Sequence, residues 1–275
     1  MIICKDFILL NNPKTGSTYA RAIIKEVYKY KGNFTYKALL KLGLLKPEYL
    51  ELKHPNLEFP KRPKNQHGTY AQIPDRHKEK DVLSIVRDPY DKFVSTYEYR
   101  YWLKRRPDET ILKELQIQDL SKITIDDFVR IQLGHIKRKH PILSELQIGG
   151  QTLHFILMFF KEPYQVLQNL SEDFFYKGHY KEHLGNVNFL DQRKLSNQLF
   201  QYLETKDISD QAMKRAREVQ PINKNNNRAS IDKYRWSEFS LDYVSVYERF
   251  LFFMLKELGF EYAKPSFHKE HAKDQ

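Results

Sequence analysis

Apolar positions along the chain follow two periods, and their order predicts the fold. Phe7-Ile8-Leu9-Leu10 is a continuous apolar run that stops at Asn11-Asn12-Pro13. Lys14-Thr15-Gly16-Ser17-Thr18 comes next, and Ala20, Ile23, Ile24 and Val27 then recur at the spacing of one helix face. The pattern predicts strand, tight loop and helix, with the helix ending near 30–32. Residues 33–65 predict one short helix at 36–42 and then irregular chain rich in Pro. Gln66–Ala71 reads as a short strand. Val82-Leu83-Ser84-Ile85-Val86 reads as a buried parallel strand, because such strands are near-continuous apolar runs. Pro89 suits a helix start, and Phe93, Val94, Tyr97 and Tyr101 carry that helix to the basic cluster at 104–106.

Farther on, Leu112–Leu120 and Ile125–Leu133 predict short helices. A turn at Gly149-Gly150 precedes the apolar run Leu153–Phe160, and 161–185 reads as a helical excursion. Val187–Leu190 is a further parallel strand. Leu195, Leu199, Tyr202 and Leu203 mark a helix, and Ser209 caps a charged one running to Val219. Leu241, Val244, Tyr247, Leu251, Met254 and Leu258 predict one long last helix, capped by Ser240, closed by Gly259 and packed on the sheet. The expected class is α/β: a three-layer, P-loop-like domain with a mostly parallel central sheet flanked by helices. One domain spans 1–263, with an insertion around 107–185 and a polar tail at 264–275.

The first loop carries candidate chemistry. Ser17 or Thr18 is the expected N-cap, and Gly16 lets backbone approach a ligand closely. A helix N-terminus with open N–H groups, several hydroxyls and Lys14 forms an anion site suited to phosphate. The loop is not a Walker A sequence, since Lys14 precedes its single glycine. Arg87 emerges at the C-terminal end of a predicted parallel strand, where open α/β sheets bind ligands. Ser95 lies two turns into the following helix, and an Arg with a hydroxyl suits a second phosphate.

Composition narrows the reading. Hydrophobic residues make up 41% of the chain, enough for a folded core. The single cysteine, Cys4, excludes an internal disulfide and fits a reducing compartment. The formal charge of +11 recurs in clusters at 61–64, 104–106, 137–140 and 214–217 and favours anionic ligands. No apolar run is long enough to cross a bilayer, and no leader precedes the first strand, so a cytoplasmic protein is expected. His135, His140 and His154 lack zinc-ligand spacing, so no metal is expected.

Two segments taken together carry a family likeness. Pro13-Lys14-Thr15-Gly16-Ser17-Thr18 and Ile85-Val86-Arg87-Asp88-Pro89-Tyr90-Asp91-Lys92-Phe93-Val94-Ser95-Thr96-Tyr97 resemble, in this order, the two signatures of sulfotransferases that use 3′-phosphoadenosine-5′-phosphosulfate (PAPS). The form is closest to the carbohydrate, or polysaccharide, O-sulfotransferases, and Lys92 stands where that pattern usually has Arg. The resemblance implies that Pro13–Thr18 hold the 5′-phosphosulfate and that Arg87 and Ser95 hold the 3′-phosphate. In the tail, Asn227–Tyr234 resembles the family's late loop over the nucleotide, which would bring in Arg228 and Ser230. His67 stands where polysaccharide O-sulfotransferases carry a general base, with Glu98 in reserve because some members use Glu. Lys14 would stabilise charge on the leaving nucleotide, and 107–185 would shape the acceptor site. The implied partners are PAPS, with 3′,5′-bisphosphoadenosine (PAP) as product, and a hydroxyl-bearing acceptor such as a glycan, without nucleic acid. The alternatives are a P-loop-type kinase, which would need ATP and magnesium, and a non-catalytic protein that binds PAP, another anion or nucleic acid.

Overall fold

The apolar run at Phe7–Leu10 forms one strand, as expected, and a second strand that the pattern did not predict precedes it. In the computed structural model, β1 (Ile2–Cys4) and β2 (Phe7–Leu9) form an antiparallel hairpin with Ile2 opposite Leu9 and Ile3 opposite Ile8. Only Lys5 and Asp6 separate them, and a connection that short permits no parallel crossover. The structure describes residues 1–29, 48–55, 63–220 and 237–265, with residues 38, 41, 42 and 44 between. The predicted helix at 36–42 lies largely outside these residues, as do Asn227–Tyr234 and the tail from 266.

β3 (Tyr49–Glu51) adds antiparallel to β1. On the other side β4 (Asp81–Val86) runs parallel to β2, and β5 (Asn188–Asp191) runs parallel to β4. The sheet is open, with order β3-β1-β2-β4-β5. Two pairings are parallel and two antiparallel, so the mostly parallel sheet expected above is corrected to a mixed one. The predicted strand at 66–71 is also absent. Asn65 makes a lone bridge to His54, and the chain then runs irregularly into a 3-10 turn at Tyr70–Gln72. There the Gln72 side chain accepts from Thr69 N at 3.1 Å, a local bond that competes with strand pairing.

The described chain falls into two compact units. The first comprises Met1–Arg87, Leu157–Tyr164 and His183–Asn226. Its core joins Phe7, Leu9, Leu83 and Ile85 from the sheet to Ile23 and Ile24 of the helix Ser17–Val27, with Leu199 and Leu203 of the helix Leu195–Glu204. The helix Asp210–Arg217, capped by Ser209 as expected, adds Met213 and Ala216. Ser84 is fully buried within β4 and satisfies its hydroxyl on the Leu10 carbonyl at 3.1 Å. Cys4 ends β1. It is buried, and burial pushes its thiol pKa far up.

The second unit comprises Asp88–Ile156, Gln165–Glu182 and Asn227–Gln275. The helix Pro89–Glu98 stops short of the predicted basic end, because Arg100 takes a left-handed φ of 46°. Phe93 and Tyr97 of that helix pack with Trp102 and with Phe128 of the helix Ile125–Lys139, and Tyr243 joins them. The predicted helix at 112–120 is limited to Glu109–Glu114. The long last helix is two helices, Glu238–Tyr247 and Arg249–Glu257, and its cap is Ser237. The break falls at Glu248. Its buried carboxylate accepts from Gln151 N at 3.0 Å, Thr152 N at 2.7 Å and Thr152 Oγ1 at 2.7 Å, at the start of the helix Gly150–Phe159. A Cβ on Gly149 would collide with this carboxylate. Among the described residues no helix is long and apolar enough to cross a membrane.

Candidate functional site

The loop between β2 and the helix Ser17–Val27 is built on two buried asparagines. Asn12 Nδ2 donates to the Ile85 carbonyl at 2.9 Å and ties the loop to β4. The Asn12 carbonyl accepts from Thr15 Oγ1 and from Ser17 Oγ, each at 2.9 Å. Asn11 Nδ2 donates to the Gln66 carbonyl at 3.0 Å. Buried polar groups need such partners, and here they fix the course of the loop after β2.

The turn that results differs in detail from the one expected. Gly16 is the N-cap, at φ 89°, and no side chain caps the helix. Neither Ser17 nor Thr18 serves in that role, because the helix begins at Ser17 and both residues lie inside it, past the cap. Lys14 also has a positive φ, 64°, in a region that costs a side-chain-bearing residue about 1–2 kcal/mol. The φ of 89° favours glycine at Gly16, and a Cβ there would stand a tight 3.0 Å from Leu195 Cδ2.

The hydrogen bonds decide which groups can meet an anion. A hydroxyl has one proton to donate. Those of Thr15 and Ser17 are both given to Asn12, so neither is placed to donate to a ligand oxygen. The first-turn N–H groups of the helix Ser17–Val27 have no partner four residues back. The helix dipole gives this end a partial positive charge, Thr18 there is exposed, and Lys14 stands two residues before the cap. Pro13, half-buried, contributes rigidity and no donor.

Arg87 follows β4 and is nine-tenths buried. Its Nη1 donates to the Lys14 carbonyl at 3.0 Å. Lys14 and Arg87, 73 residues apart in sequence, therefore meet just beyond the C-terminal ends of the neighbouring parallel strands β2 and β4.

His67 is brought to the same loop. Its Nδ1 lies 2.7 Å from the Asn11 carbonyl, and its N–H donates to Asn65 Oδ1 at 2.7 Å. A carbonyl only accepts, so Nδ1 carries the proton and Nε2 the lone pair. Burial lowers the imidazole pKa below its usual 6.5; the Asn11 carbonyl opposes the shift and the Arg21 guanidinium adds to it. His67 is therefore neutral at pH 7 and able to accept a proton.

The remaining expected residues lie elsewhere in the chain. Ser95 and Glu98 are half-buried on the helix Pro89–Glu98 of the second unit, which Asp88 caps through Tyr90 N at 2.9 Å. Lys92, on the same helix, is nine-tenths buried, and its charge favours ionised Glu248. Arg228 and Ser230 lie outside the described residues. Among those residues, no group of three or more His, Cys, Asp or Glu could hold a metal.

Asn11, Asn12 and Asn65 are the site residues that sequence reasoning missed. Asn-Asn-Pro was legible as a turn signal, but nothing local shows that the asparagines reach Gln66 and Ile85. No protein-family model, curated protein or solved structure matches the chain.

Proposed function

We propose that the chain is a PAPS-dependent sulfotransferase that moves a sulfuryl group to a hydroxyl, with a carbohydrate as the acceptor. The observation that carries this reading is the Arg87–Lys14 hydrogen bond at 3.0 Å, which joins the two segments resembling the PAPS signatures. The strand–loop–helix at Phe7–Val27 is read as the P-loop-like part of such a fold, and PAPS as the substrate that supplies the sulfuryl group. The loop fits its anionic end: open N–H groups at Gly16–Thr18, the Lys14 amine, and backbone space kept by Gly16.

On this reading the main chain of Thr15–Thr18 holds the 5′-phosphate. Lys14 meets charge growing on the bridging oxygen as the S–O bond to the nucleotide breaks. His67 Nε2 takes the acceptor's proton as the new O–S bond forms, and PAP departs. Arg87 contributes to 3′-phosphate binding; the roles of Ser95, Arg228 and Ser230 rest on the resemblance alone. A single buried thiol fits a cytoplasmic setting. The kinase alternative is disfavoured by the absent Walker A spacing.

Thermal shift with four ligands tests the reading. PAP should stabilise the protein by about 2.7 kcal/mol at a hundredfold excess over Kd. Adenosine 5′-phosphosulfate, which lacks the 3′-phosphate, should do much less, as should ATP–magnesium and duplex DNA. Equal shifts from PAP and adenosine 5′-phosphosulfate would remove the 3′-phosphate assignment. A response to ATP–magnesium alone would replace the sulfotransferase reading with the kinase one.

A further inference from the structure

His67 is gripped through its ring and through the main chain on both sides. The Asn11 carbonyl takes the Nδ1 proton at 2.7 Å. The Asn11 side chain donates at 3.0 Å to the carbonyl of Gln66, the residue just before the histidine. Asn65 Oδ1 accepts the His67 N–H at 2.7 Å. On the other side, a Cβ on Gly68 would come within 2.6 Å of His54 Cδ2 and Met1 Cε, so a larger residue after His67 would have to displace both side chains. Asn11 itself is fully buried.

We propose that Asn11 and Asn65 are positioning residues that fix His67 as its Nδ1–H tautomer, leaving Nε2 as the proton acceptor. This deepens the reading of His67 as the base and rests on it for its catalytic meaning, though the tautomer itself is a separate, measurable property. The orienting group is a neutral carbonyl. A carboxylate there would stabilise the imidazolium and raise its pKa; a carbonyl sets direction while adding no charge. The amide of Asn11 aims that carbonyl, because its bond to Gln66 holds the two segments of chain in register. Lys14 lies three residues beyond Asn11, so one loop carries both the base's orienter and the lysine assigned to the leaving group.

The two asparagines act with opposite polarity, and this makes the inference testable. Asn11 must donate from Nδ2, whereas Asn65 must accept at Oδ1. Asp in place of Asn65 keeps the acceptor; Asp in place of Asn11 loses the donor and sets an oxygen against the Gln66 carbonyl. The experiment is 15N NMR of the histidine ring nitrogens in the full chain, above the imidazole titration. Wild type and Asn65→Asp should show a protonated Nδ1 and an unprotonated Nε2. In Asn11→Ala, Asn11→Asp and Asn65→Ala the two signals should collapse toward their average. A protonated Nε2 in wild type would overturn the proposal, as would an unchanged Nδ1–H ring in every variant except Asn65→Asp. Should the Asn11 variants fail to fold, the Asn65→Ala and Asn65→Asp pair decides by the same signals. Normal turnover in His67→Ala would remove the base reading and leave the tautomer result standing, so the two failures are distinguishable.

Discussion

Ser17 illustrates how a single proton sorts binding from support. Its hydroxyl is committed to the Asn12 carbonyl at 2.9 Å, so Ser17→Ala should cost about 1 kcal/mol of stability, the usual net worth of one hydrogen bond. The shift produced by PAP should survive, since the helix N–H groups remain. Denaturant midpoints measured with and without PAP check this, and a lost PAP response would show the hydroxyl to be a ligand after all. Lys14 calls for a different substitution. Its φ of 64° suits glycine, so Lys14→Gly keeps the turn while removing the side chain with its amine. We expect kcat to fall by about 10²–10³ with a smaller change in KM for PAPS, because the charge it meets grows in the transition state. A change confined to KM would reassign Lys14 to ground-state binding. The loop around these residues was legible in the sequence because strand, glycine and helix follow one another within twenty residues or so. The asparagine bonds were not, since their partners lie 55 and 73 residues away and only the folded sheet brings them close.

Among the elements, the helix Gly150–Phe159 has a start that depends on a distant group. Glu248 satisfies its first N–H groups, and burial raises the carboxyl pKa to about 7 against the opposing hydrogen bonds from Thr152 and Gln151. The native state therefore binds a proton that the unfolded state has released, between the ordinary pKa of 4.5 and about 7. Stability from this group is fullest at the acid end of that window and declines as pH rises through it. Glu248→Gln replaces an acceptor facing Gln151 N with a donor, and should cost about 1–3 kcal/mol at pH 5. It should also flatten the decline between pH 5 and 7, which unfolding curves at both values would reveal. A variant with the same slope as wild type would assign the pH dependence to another group. The same glutamate explains why the last helix was misread. Apolar spacing continues from Leu241 to Leu258 without a gap, while the break is made by a carboxylate serving another helix. β2, β4 and β5 were legible as apolar runs, but β1 and β3 are three residues each and exist through their pairing.

At the scale of the whole molecule the chain carries a formal charge of +11, and its first unit is assembled from three separate stretches. The loop after β2 lies near the start of the sequence, yet the core that supports it draws on Leu195, Leu199 and Leu203, well over a hundred residues on. Deleting the later stretches would remove the surface against which Gly16 packs. Cys4 sits inside that core. Burial raises its pKa and closes it to reagents, so native protein should titrate no thiol with an aromatic disulfide, and denatured protein one. Prompt reaction in the native state would mean that β1 opens readily.

An inert, solitary thiol makes the chain its own blank for spectroscopy. Cysteines introduced at exposed Glu79 in the first unit and exposed Lys122 in the second would take a donor and an acceptor dye with no native residue to remove. Energy transfer between the two dyes, followed as PAP is added, would then read the separation of the units directly in solution.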